Sequence, residues 1–167
     1  MLMTSKKIKK SNTDKLYENN SNSVLLIDLE NIKKNYTYLK KKVKSSELGV
    51  SVKANAYGLG QKMICKTLLQ LGCKTFFVAT YQEGLEAVKI KKNINIYVLN
   101  GCTDKKTLLK LVNSGINIVI NNSFQLDCLI NVAKKNKLVP KCAIHVDTGL
   151  NRLGISIDKI ANTILLA

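Results

Sequence analysis

From residue 24 onward, short continuous apolar runs alternate with segments whose apolar residues recur every three or four positions. Continuous runs read as buried strands, and the wider spacing reads as helices with one face turned to a core. A run at 24–27 (VLLI) leads to Asp28, which can cap a helix through Leu29, Ile32, Tyr36, Leu39 and Val43, with lysines between them. Residues 48–53 (LGVSVK) read as a short strand and 54–60 (ANAYGLG) as a loop. Met63, Ile64, Leu68 and Leu71 then mark one face of a helix that Gly72 stops. The same alternation continues with a strand at 75–79 (TFFVA), a helix at 81–90, a strand at 94–99 (INIYVL) and a helix at 104–113. A strand at 116–120 (INIVI), a helix capped by Ser123 and running to 135, and a strand at 141–146 (KCAIHV) complete the series. The loop 147–154 (DTGLNRLG) follows, and one more helix starts at Ser156.

Strand and helix in strict alternation, with strands rich in Val and Ile, predict an α/β fold whose parallel strands are covered on both faces. Five β/α units are visible. A closed (β/α)8 TIM-type barrel takes ~250 residues, so these 167 residues read as a partial barrel of about five units that lacks the last strands. Residues 1–22, mostly Lys, Asn and Ser, read as a disordered basic arm ahead of the incomplete barrel at 23–167.

The formal charge of +16 raises the question of nucleic acid or an anionic membrane. The kind of cation argues against a specific nucleic-acid reader: of 27 Lys and Arg residues, Arg152 alone is arginine. Base-reading proteins lean on arginine's planar two-pronged donor. The lysines read instead as a solvated coat, and the lone arginine as a residue with a task that an ammonium cannot do, such as gripping a carboxylate. Cys65, Cys73, Cys102, Cys128 and Cys142 are odd in number and dispersed without a C-x-x-C pair, so neither zinc nor a disulfide framework is expected. Reduced thiols fit a cytoplasmic protein. The apolar runs are too short for a membrane span, and the amino terminus has no apolar segment of the secretory kind.

In parallel α/β folds the chemistry gathers at the carboxyl ends of the strands, and two loops stand out there. Lys53 closes the first barrel-type strand and precedes a turn; an amine partly withdrawn from water there can attack an aldehyde to form a Schiff base. Tyr57 lies four residues on, able to donate to a phosphate or simply to pack on the rim. Arg152 lies in the loop after the fifth strand, where the plainer reading is a salt-bridged loop residue. Asp147, Thr148 and Gly149 can form an Asx turn. His145, the single histidine, reads as a packed strand residue, and no spacing of Cys and His suggests metal.

The segment VSVKANAYGLG (50–60) closely resembles the pyridoxal-phosphate motif of the alanine racemase family, and HVDTGLNRLGI (145–155) resembles that family's second diagnostic segment. FFVATYQEGLEA (76–87), IYVLNG (96–101) and NNSFQLDCL (121–129) resemble weaker family stretches in the right order. The resemblance implies that Lys53 carries pyridoxal 5'-phosphate and acts as one of two acid/base groups in interconverting L- and D-alanine, the supply of D-alanine for peptidoglycan. It implies that Tyr57 holds the cofactor phosphate, and that Arg152 contacts the cofactor's phenolic oxygen and the substrate carboxylate. His145 stands where some members carry a modified lysine that orients this arginine. The second acid/base in the family is a tyrosine from a C-terminal β domain of the partner subunit. That domain and the last barrel strands are missing here, so the catalytic set is incomplete and the chain is expected to be inactive alone, needing a homodimer or a second polypeptide. Another amino acid, such as serine, stays open as substrate. The alternatives are a basic binding module, or a fragment that binds the cofactor without catalysis.

Overall fold

A computed structural model describes residues 25–165, with the side chains of 162–164 left aside. The expected basic arm at 1–22 lies outside the described residues.

Helix α1 (Leu29–Lys42) starts as expected, with the Asp28 carboxylate accepting from the Asn31 amide at 3.0 Å. Strand β1 (Val50–Ser51) is followed by the short turn α2 (Lys53–Tyr57) and helix α3 (Gln61–Gln70). Then come β2 (Thr75–Val78), α4 (Tyr81–Val88), β3 (Asn95–Val98), α5 (Lys105–Asn113), β4 (Asn117–Ile120), α6 (Ser123–Asn136) and β5 (Cys142–Ile144). The five strands form one parallel sheet in the order β1-β2-β3-β4-β5. Sequence order equals spatial order, as in the wall of a barrel and unlike a doubly wound sheet, whose order reverses at a switch point. The expected partial barrel is what forms.

The alternation of side chains along the strands sorts the two faces. Phe76, Val78, Ile96 and Val98 are at most 1% exposed. A methyl group placed on Gly84 of α4 would meet Val98 at 2.9 Å and Val78 at 3.7 Å, so this is the face that the helices cover. Phe77 and Tyr97, paired in register and stacked with ring centroids 5.3 Å apart, occupy the opposite, inner face and are only half-buried. Ser51 is in register with Phe77 and therefore lies on that inner face too.

Three expectations change in detail. Residues 54–60, expected as a plain loop, contain a left-handed helical turn. Helix α6 is capped by the Asn122 side chain, which accepts from the Gln125 amide at 2.9 Å, and not by Ser123. Both types cap well, and the extended backbone falls on Asn122, so Ser123 becomes the first helical residue. The expected fifth strand, 141–146, divides: β5 ends at Ile144, while β6 (Val146–Asp147) pairs in parallel with β7 (Ile155–Ser156), ahead of α7 (Ile157–Leu165). Among the described helices none is long and apolar enough to cross a membrane.

Candidate active site

Because the strands are parallel, their carboxyl ends share one edge, and the loops after them carry every residue singled out from the sequence. The β1–β2 ladder extends past β1, with the Val52 amide donating to the Phe77 carbonyl at 2.8 Å. Val52 is fully buried, and its backbone leaves the extended conformation, so that Lys53 follows it at the carboxyl end of β1 as the first residue of α2. There Lys53 is half-buried, and its Nζ lies over the Tyr57 ring, 5.9 Å from the centroid. The Tyr57 hydroxyl is 3.2 Å from Ser51 Oγ. Among the described residues Lys53 has no carboxylate partner.

What aims Lys53 is the backbone behind it. Ala54, Asn55, Ala56 and Tyr57 all have φ between 50° and 55°. A left-handed turn costs a residue with a Cβ about 1–2 kcal/mol, so such a run persists only when its surroundings over-determine it. The amides of Ala56, Gly58 and Gly60 donate to the carbonyls of Val52, Ala54 and Asn55 at 2.9 Å each. Asn55 Oδ1 accepts from the Gln61 amide at 2.8 Å, joining the turn to the start of α3. Gly58 and Gly60, at φ of 85° and 92°, continue a path that few other residues take readily. The remaining support comes from α4. Glu83 Oε1 accepts from the Ala54 amide at 2.6 Å, while its Oε2 accepts from the Ala79 and Thr80 amides at 2.8 and 3.1 Å.

A second set of contacts ties the loops after β3, β4 and β5 together. Asn121, buried on the inner face, donates through Nδ2 to the Leu99 carbonyl at 2.9 Å. A carbonyl only accepts, so Asn121 Oδ1 is the atom 2.7 Å from His145 Nδ1, and Nδ1 must carry the proton there. Gln125 accepts from the Asn121 amide and donates to the Asn100 carbonyl, at 2.8 and 3.0 Å. The His145 backbone continues the ladder, accepting from Ile155 and donating to Ile120. His145 is thus a hydrogen-bonded residue, lying between β5 and β6 and not within the continuous strand expected.

Beyond it, the Asp147 carboxylate accepts from the Gly149 and Asn151 amides at 3.0 and 3.1 Å, the expected Asx turn. Those hydrogen bonds, Gly149 first, hold its carboxyl below the usual aspartate range. Gly154, at φ 111°, lies so close to β6 that a Cβ would meet the Asp147 amide nitrogen at 2.8 Å. The turn presents Arg152 exposed to solvent, with neither a hydrogen bond nor an ion pair among the described residues.

Lys53 and Tyr57 are therefore brought together. Arg152 stands at the same edge but beyond the far side of the sheet from β1, and no hydrogen bond joins it to them. Glu83, Asn121 and Gln125 were not singled out from the sequence. For Glu83 a signal was present: Thr80-Tyr81-Gln82-Glu83 is the S/T-x-x-E capping box, here formed at the start of α4.

The profile of the family described as "Alanine racemase, N-terminal domain" matches residues 27–167. The alanine racemase of Rickettsia rickettsii (strain Sheila Smith) is 41% identical over 140 residues, which are 83% of this chain and 39% of that protein. That of Rickettsia prowazekii (strain Madrid E) is 40% identical over 142 residues, 84% and 35% of the two chains. The chain thus spans well under half the length of these relatives. Among solved structures, alanine racemase from Bartonella henselae with covalently bound pyridoxal phosphate superposes with a TM-score of 0.76 at 34% identity, over 83% of this chain and 39% of that one. Histidine racemase from Leuconostoc mesenteroides subsp. sake, at 23% identity and a TM-score of 0.75 over 83% and 37%, shares the fold alone.

Proposed function

Because the chain belongs to the alanine racemase family, matching its N-terminal domain over 27–167, we propose that it is the cofactor-holding portion of an alanine racemase, with pyridoxal 5'-phosphate held by Lys53. The observation that carries this reading is the Lys53 amine itself. It sits half-buried at the carboxyl end of β1, over the Tyr57 ring, without a carboxylate partner among the described residues. The donor set suits a phosphorylated aldehyde: one amine, two hydroxyls within reach of each other (Ser51 and Tyr57), and an arginine left without a counter-charge. The nearby Glu83 carboxylate is taken up by backbone amides and leaves the amine's charge unneutralised.

In this reading Lys53 bonds the cofactor, Tyr57 donates to its phosphate, and Arg152 contacts its phenolic oxygen and the carboxylate of the amino acid. When bound, the cofactor withdraws electrons from the substrate's α-carbon and so makes the α-proton acidic. Lys53 is then the group that takes or returns that proton on one face. Inversion needs a second group on the other face. The described residues supply none, and that group, with the rest of the phosphate site, is expected from another subunit or polypeptide. Alanine is the proposed substrate, on the strength of the relatives' activity.

Titration of the 167-residue chain with pyridoxal phosphate, followed by visible absorbance, tests the assignment. Saturable one-to-one binding is expected. Lys53→Ala abolishes it, and Tyr57→Phe and Arg152→Lys each weaken it by roughly tenfold, the scale of one hydrogen bond to a charged group. Binding unchanged in Lys53→Ala refutes the reading.

A further inference from the structure

We infer that Glu83 is a positioning residue for Lys53, a role that rests on the proposed function of Lys53 but is tested separately from it. Its Oε1 accepts from the amide of Ala54, the peptide group directly after Lys53, across 29 positions of sequence. Its Oε2 is occupied by the Ala79 and Thr80 amides at the carboxyl end of β2. One carboxylate therefore fastens the peptide that carries Lys53 to the neighbouring strand. A second link reinforces it, since Gln61 Nε2 donates to the Glu83 carbonyl at 3.4 Å.

Capping alone does not account for this arrangement. The box at the start of α4 needs Oε2 on the Thr80 amide and the Thr80 hydroxyl on the Glu83 amide, at 3.1 and 3.4 Å. The bond to Ala54 is additional, and it is the shortest of the three that the carboxylate accepts. Nor does Glu83 act as a counter-ion. In a chain with 27 basic residues, the ion pairs among the described residues are Lys33–Glu30 and Lys89–Glu86, both between helix neighbours. A carboxylate that accepts only from backbone amides fixes the direction of the Lys53 side chain without neutralising its amine. Four consecutive left-handed residues without glycine make the turn depend on such a fastening from outside it.

Amide hydrogen exchange in the full chain, without cofactor, separates the two roles. Glu83→Ala removes the fastening and the cap together, whereas Thr80→Ala removes only the cap's hydroxyl. Exchange of the segment 53–60 is expected to speed up roughly tenfold or more in Glu83→Ala, the scale of one bond to a charged acceptor, and to stay within about twofold of the parent in Thr80→Ala. Glu83→Gln, which keeps a single acceptor oxygen, gives an intermediate rate and serves if the alanine variant does not fold. In parallel, reductive methylation mapped by peptide mass should change its rate at Lys53 in the Glu83 variants and at no other lysine. Unchanged exchange at 53–60 in the Glu83 variants, or an equal rise in Thr80→Ala, overturns the inference. Failure of the chain to bind pyridoxal phosphate would instead overturn the proposed function and leave the exchange result standing.

Discussion

Asp147 illustrates how much of the second motif is backbone chemistry and how much is left for function. Its carboxylate organises the turn through the Gly149 and Asn151 amides, and Arg152, five residues on, is left free of any structural partner among the described residues. The singularity of Arg152 among 27 basic residues was legible in the sequence, and so was the Asx turn. The Asn121–His145 hydrogen bond was not, because pairing residues 24 positions apart depends on which strands become neighbours. The Asp147 turn has a consequence for pH. Its folded pKa lies below the unfolded value of ~3.9, so the stability it lends is complete above that value and is lost as pH falls through the lowered folded one. Urea denaturation from pH 6 to pH 3 should therefore show the parent losing stability below about pH 4 more steeply than Asp147→Asn. Parallel curves would contradict the role given to this carboxylate.

At the scale of elements, periodicity predicted every strand of the sheet and the helices between them, because buried faces impose their spacing on the sequence. It missed the left-handed turn at 54–57. Nothing in Ala-Asn-Ala-Tyr favours that conformation over others strongly enough to be read, and beside its own backbone hydrogen bonds the turn is held by Glu83 and Gln61 in other elements. The second strand segment at β6 was missed for a similar reason: the run KCAIHV at 141–146 does not by itself reveal where a chain changes partner. Packing between elements yields its own prediction. Gly84 of α4 lies against Val98 and Val78, and a Cβ there would stand 2.9 Å from a Val98 methyl group. At an exposed helical position, replacing glycine would stabilise by up to ~1 kcal/mol. Here Gly84→Val should destabilise by roughly 2 kcal/mol through overpacking, read as a lower urea midpoint with an unchanged slope. No loss of stability would mean that α4 does not sit this close to the sheet.

For the whole molecule, the α/β class and the partial barrel were legible because strict alternation of strand and helix leaves few other topologies. Five parallel strands in sequential order place Lys53, Tyr57, His145 and Arg152 along one edge, the edge where barrels carry their chemistry. The assignment proposed for Lys53 is narrower than racemisation: of many lysines on a strongly basic chain, the one after β1 is to take the cofactor. Surface lysines react with aldehydes as well, so only the position of the bond decides it. Borohydride reduction of the chain with about one equivalent of pyridoxal phosphate, followed by peptide mapping, reads that position directly. A single cofactor mass increment on the Lys53 peptide is expected; increments scattered over the surface lysines, with Lys53 unmodified, would contradict the assignment of Lys53.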